Sequence, residues 1–555
     1  MKKIAYLLLA LVCLALTSCD ALLGMLGEGT AAVTTAPATD APIVTTLPTV
    51  SEEKPPEGPH ICSFVESVAE PQYLRSAATC TRPAEYYYSC SCGLAGSRSF
   101  YAGEPIAHVY SQSRAGEAFL KKAATVNSGA LYYKSCVCGA IGEETFSHGK
   151  KLKAELYTPT TLTVTLYDAE HSVYGFTFHT VNEPKDPVIR VRVATEESFR
   201  EYPATSAKAT SYARDDSEIE YYVSKAEVPL RADTSYVYCV YDRSTEACTE
   251  EIPLATKDPS KETFTFVHVS DSQDGPDEFG RVLASVSDRA DFVIHTGDVV
   301  EYSKYEEEWT EMLDGNAEYV ASLPIMAISG NHETTYRNGS FETDKHFHNQ
   351  LPEQSSTSLG YFYSFVYGDV RFIMLNTNDL TSKRLKPEQY DWLVGELANN
   401  TCRFTVVALH NPMYSVGKYG ANPASNAISL ALREQLGGIF AEYGVDLVLQ
   451  GHDHVVSRTY PIDRLGVPQT ETVVTENGVS YIVDPDGVIY VMNGPAGKQT
   501  RSPYEVDDTL YAYAATSKAA SWAEIEVGED TLTVTVKWHN GTSEQIYYSF
   551  GIKKS

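Results

Sequence analysis

The chain has 555 residues, of which 43% are hydrophobic and 21% are charged. This length is too great for a single core and predicts three or four domains, and the composition is typical of a globular protein. The formal net charge of −29 argues against nucleic acid as a partner, because such a surface repels phosphates. An anionic substrate must instead be attracted by local positive charge, for which bound metal cations are the obvious source.

The N-terminus has the pattern of an export signal. Lys2 and Lys3 precede an apolar run over 4–16, which is too short to span a bilayer as a helix. The run ends in LTSC, which resembles a bacterial lipobox and implies cleavage before Cys19 and a lipid on its sulfur. We expect 1–19 to be a lipoprotein signal peptide, and the mature protein to be extracytoplasmic and held at the bacterial cell membrane by this lipid only. The alternative is an ordinary signal peptide with an unmodified cysteine.

A linker and an internal repeat follow. Residues 20–59 are rich in Thr, Ala and Pro, cannot form a core, and are expected to be a disordered linker. Residues 60–150 contain two similar units, with AATCTRPAEYYYSCSCG in the first and AATVNSGALYYKSCVCG in the second. Both units are similar to small Cys/His repeats on surface proteins of anaerobic bacteria.

Six cysteines lie in these repeats: Cys62, Cys80, Cys90, Cys92, Cys136 and Cys138. An exported location favours disulfides, so we expect structural staples there. The Cys-x-Cys-Gly sequence, with His60, His108 and His148 nearby, also allows a structural zinc ion. The spacing is not a standard Cys-x-x-Cys, so both interpretations stay open.

Residues 151–257 alternate apolar and polar residues in short runs such as TLTVTLYD and VIRVRVAT. Turn-prone stretches separate these runs, and the pattern predicts an antiparallel β-sandwich. The last runs, LRADTSYVYCVYD and IPLAT, resemble the end of a fibronectin type III domain, and more specifically the N-terminal domain of purple acid phosphatases. Cys239 and Cys248 flank a predicted hairpin turn and are placed to form a pair.

From residue 263 onward, short apolar strands such as TFTFVHVSD and ADFVIHTGD alternate with amphipathic segments such as EFGRVLASVSDRA. This alternation predicts an α/β architecture, and the chain returns to a β-hairpin near its end. We expect His295 in the core and Cys402 free in a buried strand. His346 and His348 are expected in a surface loop, with a position in the substrate pocket as the alternative.

Five of the predicted strands end in side chains that can bind a metal, namely Asp271, Asp298, Asn331, His410 and the pair His452 and His454. The carboxyl ends of strands in an open α/β sheet gather at one edge, so five strands of one sheet would bring these side chains together. Carboxylate, amide and imidazole groups suit divalent metals of intermediate hardness. Two such cations can clamp a phosphoryl group and generate a hydroxide at neutral pH.

The motifs GD (297–298), GNHE (330–333) and GHDH (451–454), together with His410, resemble the calcineurin-like metallophosphoesterase superfamily, and most closely its purple acid phosphatase-like bacterial branch. The resemblance covers about 151–550. It implies an α/β/β/α sandwich over 263–551, preceded by the fibronectin III-like sandwich over 151–257 and by the two Cys-rich repeats. It also implies hydrolysis of phosphomonoesters by a metal-bridging hydroxide, with two divalent or trivalent ions of Fe, Mn or Zn.

The motifs also imply a role for each residue. Asp298 would bridge the two metals, and Asp271 and His454 would complete one site. The other site would be completed by Asn331, His410 and His452. His332, catalytic together with Asp298, would stabilise the transition state or protonate the leaving oxygen, and Glu333 would orient a neighbouring group.

This chain departs from the family pattern in two places. Most of the superfamily has Asp-x-His in the first motif, whereas here Gln273 takes the place of the histidine. Gln273 is expected either to bind a metal or its water or to have a structural role. Purple acid phosphatases have a tyrosine three residues after the bridging aspartate, where this chain has Glu301, and Tyr302 follows one residue later. We expect no tyrosine–iron bond and no purple colour, but Tyr302 stays a candidate for the surroundings of the metals.

Three functions are therefore compared. The first is an extracytoplasmic phosphomonoesterase acting on a phosphorylated small molecule or surface substrate, with no nucleic acid partner. The second is a phosphodiesterase or nucleotidase that uses the same site. The third is a surface binding protein with a weakened phosphoesterase domain, against which the otherwise complete set of ligands argues.

Overall fold

The structure is a computed structural model that describes residues 60–334, 342–356, 361–504 and 508–555. The expected signal peptide with Cys19 and the expected linker over 20–59 lie outside the described residues. The chain divides into two compact units, Met1–Pro105 and Ile106–Ser555. In the described ranges, no helix is long and apolar enough to cross a membrane.

Each Cys-rich repeat folds as a small three-stranded antiparallel sheet. In the first unit the strands are β1 (Leu74–Ser76), β2 (Ala84–Ser89) and β3 (Ala95–Ala102). In the second unit the strands of the equivalent sheet are β4 (Leu120–Lys122), β5 (Ala130–Ser135) and β6 (Ile141–His148). Each strand of the second repeat begins 46 residues after its counterpart in the first, so the two repeats share strand order and spacing.

The next strands form two four-stranded antiparallel sheets, as the alternating pattern predicts. They are β7 (Thr160–Asp168), β8 (Val173–Thr180), β9 (Pro187–Val193), β10 (Arg200–Pro203), β11 (Thr205–Tyr212), β12 (Glu218–Pro229), β13 (Ser235–Asp242) and β14 (Ile252–Ala255). One sheet has the order β10-β9-β13-β14 and the other has the order β11-β12-β8-β7. Along β13, every second residue from Tyr236 to Val240 packs into the core, because successive side chains of a strand point to opposite faces.

The rest of the second unit mixes strands and helices. The strands are β15 (Phe264–Val269), β16 (Phe292–His295), β17 (Ile325–Ala327), β18 (Tyr363–Tyr367), β19 (Val370–Met374), β20 (Leu380–Thr381), β21 (Arg384–Leu385), β22 (Phe404–Leu409), β23 (Leu447–Gln450), β24 (Val456–Thr459), β25 (Val473–Glu476), β26 (Val479–Val483), β27 (Ile489–Asn493), β28 (Tyr511–Ala515), β29 (Ser521–Val527), β30 (Thr531–His539) and β31 (Glu544–Lys553). The α-helices are α1 (Pro276–Val286), α2 (Glu306–Leu313), α3 (Ala317–Val320), α4 (Asn331–Thr334), α5 (Glu342–His346), α6 (Pro387–Ala398), α7 (Lys418–Ala421), α8 (Ala427–Leu432) and α9 (Gly438–Glu442).

Two large sheets of these strands face each other. Their orders among the described residues are β17-β16-β15-β29-β30-β31-β26-β25 and β18-β19-β22-β23-β27-β24-β28. Phe266 of β15 and Val406 of β22 share the core that also holds residues of both sheets, whereas Val267 and Val407 pack with helical residues on the outer sides. Helices therefore cover the outer faces, and the domain is an α/β/β/α sandwich. Strands buried on both faces need unbroken apolar runs, which is the pattern in the sequence.

Helix α1 shows why the sequence forms a helix in the outer layer of the sandwich. Pro276 occupies its first turn, where the missing N–H costs nothing, and Asp277 and Glu278 complement the positive end of the helix dipole. Its buried residues are spaced three and four apart, so they lie on one face: Phe279, Val282, Leu283 and Val286.

The expectation that one sheet supplies all five ligand-bearing strands is wrong. Strands β15, β16 and β17 are parallel neighbours in one large sheet, whereas β22 and β23 are parallel neighbours in the other. An apolar run indicates that a strand is buried on both faces, but it carries no information about which strand pairs with it. The assignment of strands to sheets is decided by long-range pairing.

Candidate active site

The candidate metal ligands lie where strands of the two large sheets end. Asp271 and Asp298 follow β15 and β16, and Asn331 begins α4 after β17. His410 directly follows β22, and His452 and His454 lie in the turn after β23. The strands are parallel within each group, so each sheet presents its ligands at the carboxyl ends of its strands.

The backbone at four of these positions adopts the left-handed conformation. The φ angles are 54° at Asp271, 55° at Asp298, 75° at His452 and 50° at His454. Residues with a Cβ rarely adopt this region, and such strain is concentrated at functional sites. The sharp turns at the ends of the strands therefore direct these side chains towards a common point at a conformational cost.

Four side chains form a first group around the ring of His410. His410 Nε2 lies 3.0 Å from Asn331 Oδ1, 3.2 Å from His452 Nδ1 and 3.2 Å from Asp298 Oδ2. Ligand atoms about 2.1 Å from a shared metal ion lie about 3.0–3.4 Å from each other. These distances fit one cation held by the four side chains.

Three side chains form a second group. His454 Nε2 lies 3.3 Å from Asp271 Oδ1, and the end of the Gln273 amide lies 3.4 Å from His454 Nε2. The favourable orientation of this amide has its nitrogen donating to the carbonyl oxygens of Asp271 (3.2 Å) and Asp298 (2.9 Å). The amide oxygen then faces His454 and is available as a ligand.

The ring orientations of two histidines are fixed from outside the site. His410 Nδ1 donates to the carbonyl oxygen of Thr296 (2.8 Å), and His454 Nδ1 donates to that of Gln499 (2.7 Å). This arrangement leaves the Nε2 lone pairs directed into the site, as is usual for histidines that bind metals. No sequence pattern pointed to Thr296 or Gln499, because both act through their backbone.

The electrostatics of the site favour cations. Burial raises the pKa of Asp271 and Asp298, but the neighbouring His454 and His410 outweigh burial and hold both pKa values below the ordinary range. Burial lowers the pKa of His452 to about 3. Burial also lowers the pKa of His410, but the charge of Asp298 outweighs it and raises that pKa to about 9. Two ionised carboxylates in a buried site require positive charge, which divalent cations supply.

Two glycines make room for these ligands. A Cβ at Gly330 would overlap Asp298 Oδ1. A Cβ at Gly451 would overlap Ser270 Oγ and lie 3.2 Å from both Asp271 Oδ2 and His410 Nδ1. The glycines of GNHE and GHDH are thus required by crowding, and the donor set, its charge and its packing fit two metal ions.

His332 and Glu333 follow Asn331 in α4. His332 Nδ1 donates to the carbonyl oxygen of Glu301 (2.6 Å), and its Nε2 lies 3.8 Å from Asp298 Oδ2. The buried Glu333 carboxylate accepts from the backbone N–H groups of Asp298 (2.9 Å), Val299 (2.9 Å) and Gly330 (2.7 Å). Glu333 therefore joins the turn after β16 to the turn after β17.

Tyr302 is more exposed than the donors. It is 39% exposed, and its ring packs against Tyr305 with the centroids 6.1 Å apart. The neighbouring Glu301 reaches towards the site instead, where its carboxylate lies 3.8 Å from His332 Nδ1.

The predicted position is confirmed for His295 and is wrong for His346 and His348. His295 is buried and bonds to Ser272 Oγ (2.9 Å), so its predicted core position is confirmed. The surface loop expected for His346 and His348 is wrong. The ring of His346 is fully buried and stacks on Trp309 at 3.8 Å, and the side chain of His348 is 14% exposed. Strand β7 covers this segment, because its threonines bond to the carbonyl oxygens of both histidines.

The sulfur atoms of Cys239 and Cys248 lie 3.5 Å apart without a bond, so the structure places them side by side as expected. Cys402 was expected in a buried strand and is instead half-buried, two residues before β22. A short apolar run does not show where pairing begins, which explains this difference.

A cavity of about 590 Å³ adjoins the first group of donors and is lined by Asn331 and His452. Its wall includes Tyr419, whose ring packs on that of His452 with the centroids 4.0 Å apart. The buried Asp453 carboxylate accepts from the backbone of Tyr419 (2.8 Å) and Gly420 (2.9 Å) and so positions this wall. Sequence reasoning missed both residues, although Asp453 within GHDH was a visible signal.

The cavity also has polar lining residues that sequence reasoning missed. It carries Asn378, Lys386 and Asn411, with Lys386 paired to Asp379. Asn411 donates to the carbonyl oxygen of Thr377 (2.8 Å) and to Asn378 Oδ1 (3.0 Å), so its amide is fixed.

Comparison with known proteins agrees with this geometry. Residues 264–456 match the family model for calcineurin-like phosphoesterases. An uncharacterized protein of Mycobacterium tuberculosis is 26% identical over 331 residues, which cover 52% of this chain and 61% of that protein. Purple acid phosphatase 15 of Arabidopsis thaliana is 27% identical over 213 residues, which cover 37% of this chain and 36% of that protein. This chain thus spans less than two thirds of the length of these relatives.

Among solved structures, purple acid phosphatase PPD1 from yellow lupin (Lupinus luteus) seeds aligns with a TM-score of 0.60 at 17% identity. The alignment covers 72% of this chain and 75% of that one and shows a shared fold. With the α/β/β/α sandwich and the converging donors, the match over 264–456 shows that this part of the chain is a calcineurin-like phosphoesterase domain, with purple acid phosphatase-like relatives.

Proposed function

We propose that the domain over 263–551 hydrolyses phosphomonoesters outside the cytoplasm with the help of two metal ions. The observation that carries this proposal is the convergence of donors from two sheets, with His410 Nε2 3.0–3.2 Å from three other ligand atoms. A binding scaffold without catalysis has no need for buried carboxylates held beside imidazoles. The match of the domain to calcineurin-like phosphoesterases supports the same function.

The two groups of donors would each hold one cation, with Asp298 shared between them. The first cation would be held by Asn331, His410 and His452, and the second by Asp271, Gln273 and His454. When bound, the cations polarise the phosphoryl oxygens and lower the pKa of a water molecule towards neutrality. Oxygen and imidazole donors of this kind accept Fe, Mn or Zn.

His332 is the residue placed to act on the leaving group. Its backbone N–H donates to Asp298 Oδ1 (2.9 Å) and its Nδ1 donates to the carbonyl oxygen of Glu301, so the ring has little freedom. Nε2 is the nitrogen that remains for a substrate. From there it donates a proton to the leaving oxygen or a hydrogen bond to the phosphoryl group.

The cavity beside the donors supports a small phosphorylated substrate or a phosphorylated group on a larger surface molecule. Its volume of about 590 Å³ lies in the range typical of small-molecule sites. Lys386 lines the cavity as half of its ion pair with Asp379, and the amides of Asn378 and Asn411 would supply hydrogen bonds to the non-reacting part of the substrate. The net charge of −29 disfavours nucleic acid as a partner.

The test uses the full chain loaded with Mn, Fe or Zn. We expect hydrolysis of an aryl phosphate and much slower hydrolysis of an aryl phosphodiester. Asn331→Ala and His410→Ala should each lower kcat by at least 100-fold, because each removes a ligand of the first cation. Asn540→Ala, an exposed asparagine near the C-terminus, is the matched control and should leave the rate unchanged.

Two results would redirect the proposal. Faster hydrolysis of the diester would favour a phosphodiesterase or nucleotidase at the same site. If neither ester is hydrolysed with any metal, a surface binding protein becomes the better description.

We also propose that the enzyme is a lipoprotein, with a lipid on Cys19, a linker over 20–59 and a fibronectin III-like domain over 151–257. The basis is the LTSC sequence after the apolar run and the pair of antiparallel sheets. Labelling of the growing bacterium with a fatty acid tests the anchor. The label should be incorporated into the parent chain and absent from Cys19→Ala, and equal labelling of both would refute the anchor.

A further inference from the structure

We propose that the first Cys-rich repeat holds a structural zinc ion through His60, Cys62, Cys90 and Cys92. Their ligand atoms all lie within 4.8 Å of one another. The sulfur atoms of Cys62 and Cys92 are 3.6 Å apart, whereas a disulfide bond measures about 2.05 Å. Two sulfurs about 2.3 Å from one tetrahedral zinc ion lie about 3.8 Å apart, so the observed spacing fits a shared ion.

Local structure brings the four side chains together. The turn after Cys90 is closed by its own N–H, which donates to the carbonyl oxygen of Leu94 (2.9 Å), and by Gly93 N–H, which donates to that of Cys90 (2.8 Å). Gly93 has a φ of 88°, which favours glycine. This tight turn places Cys92 near Cys90. The segment with His60 and Cys62 runs alongside, paired to β2 through a bridge between Glu66 and Ser89.

His60 completes the set. Its Nε2 lies 2.8 Å from the sulfur of the buried Cys90. Three thiolates and one imidazole are a usual ligand set for a structural zinc ion. They are also soft ligands, unlike the oxygen-rich donors of the catalytic domain, so this site is expected to prefer zinc over magnesium or manganese.

The second repeat provides independent support, because it can be aligned with the first at a constant offset of 46 residues. At this offset, Cys136 and Cys138 correspond to Cys90 and Cys92, and His108 corresponds to Cys62. His108 Nδ1 lies 3.3 Å from Cys138 Sγ, as Cys62 Sγ lies close to Cys92 Sγ. Histidine cannot form a disulfide, but histidine and cysteine both bind zinc. The presence of cysteine in one repeat and histidine in the other therefore fits a metal ligand at this position and does not fit a disulfide partner.

The first repeat also needs stabilisation beyond its apolar contacts. Among the described residues of the first unit, the buried hydrophobic side chains are Tyr73 and Cys90. In domains below about 70 residues a single core rarely supplies enough stability, and metals, disulfides or association with other chains are commonly added. Zinc binding would supply folding free energy that this core does not.

The test compares four single variants of the full chain: Cys62→Ser, Cys62→His, Cys92→Ser and Cys402→Ser. Zinc content is measured by mass spectrometry of the metals after purification in the presence of manganese. We expect both the Cys62→Ser and Cys92→Ser variants to lose one zinc ion per chain. Cys62→His should keep it, because this variant has the residue type found at the equivalent position of the second repeat. Cys402→Ser, outside the repeats, is the matched control.

A second readout separates this ion from the catalytic metals. In a Cys136→Ser, Cys138→Ser background, cobalt should give thiolate-to-cobalt absorption that Cys62→Ser removes and Cys62→His retains. Peptide mapping without reduction should find no bond between Cys62 and Cys92. A disulfide there, or equal zinc content in the parent and the Cys62→Ser variant, would overturn the proposal and leave the proposed function untouched.

Discussion

Gln273 is one of the two positions at which the site departs from the pattern of the superfamily that its motifs resemble. The structure places its amide within 3.4 Å of His454 Nε2, in the position where the second group of donors needs a third member. Its nitrogen is held by two backbone carbonyl oxygens, so the orientation of its oxygen is fixed. A neutral amide oxygen is a weaker metal ligand than an imidazole. Because the Gln273 side chain is already held in one orientation, however, it loses little conformational entropy when a metal binds.

We predict that Gln273→Ala weakens the second metal site without unfolding the domain. The affinity for the more weakly held ion should fall by about 10- to 100-fold, as when supporting groups of metal sites are removed. Isothermal titration calorimetry of the metal-free protein with manganese measures the affinity for this ion directly. Asn378→Ala, in the wall of the cavity, is the control and should raise KM with two ions still bound. An unchanged second binding constant for Gln273→Ala would assign Gln273 a structural role.

At the scale of elements, the site depends on how closely the ends of β15 and β23 approach. Gly451 follows β23, and a side chain there would meet Ser270 and Asp271 beyond β15. These contacts join the two sheets, since β15 and β23 belong to different ones. The separation of the strand ends therefore controls the distance between the two halves of the donor set.

We predict that Gly451→Ala lowers kcat by at least 100-fold, because an added methyl group displaces Asp271 and His410 from positions that must be held within about 1 Å. The decrease should be accompanied by reduced metal content. Gly395→Ala in α6 is the matched control, because nothing lies within 4 Å of the added carbon. That variant should be as active as the parent and slightly more stable, by up to about 1 kcal/mol. Full activity of Gly451→Ala would show that the strand ends tolerate separation.

At the scale of the second unit, the β-sandwich packs against the catalytic domain through a buried cluster. His179 of β8 bonds through Nδ1 to Glu306 of α2 (2.8 Å) and through Nε2 to the carbonyl oxygen of Lys345 (2.7 Å). His346 Nε2 lies 3.6 Å from the same Glu306 oxygen. Burial raises the pKa of Glu306, but its hydrogen bond with His179 and the neighbouring charges outweigh burial and hold that pKa far below its ordinary value of 4.5.

We predict that Glu306→Gln destabilises the protein at pH 7 by about 3 kcal/mol, the cost of breaking a buried pair. A depressed pKa gives stability that is present above pH 4.5 and lost as the pH falls further. The difference in the free energy of unfolding between Glu306→Gln and the parent should therefore become smaller below pH 4.5. Denaturant unfolding at a constant metal concentration measures this difference. Glu311→Gln, which breaks the exposed pair with Arg214 on the same helix, should cost less than about 1 kcal/mol. Equal effects of both changes would contradict this.

The sequence by itself determined which residues end the strands and which chemistry they can perform. Apolar runs buried on both faces, each followed by Asp, Asn or His, are visible without coordinates, because side-chain burial and strand period are local properties. The alternation of strands and helices and the set of ligand types were predicted for this reason, whereas the α/β/β/α sandwich was implied by the resemblance of the motifs to a known superfamily. The internal repeat was visible for the same reason, because the two units have similar sequences at a constant offset.

Only the tertiary structure decided how these pieces pair. It divided the candidate ligands between two sheets, buried His346 under β7, and placed Tyr419 in the wall of the cavity with its backbone bonded to the buried Asp453. It also determined which backbone carbonyl oxygens accept hydrogen bonds from His410 and His454 and so orient their rings. These contacts join residues separated by 34 to 183 positions, and their energies depend on distance in space. No local pattern encodes such distances, which is why sequence reasoning named the candidate ligands that converge in the structure and missed the groups that support them.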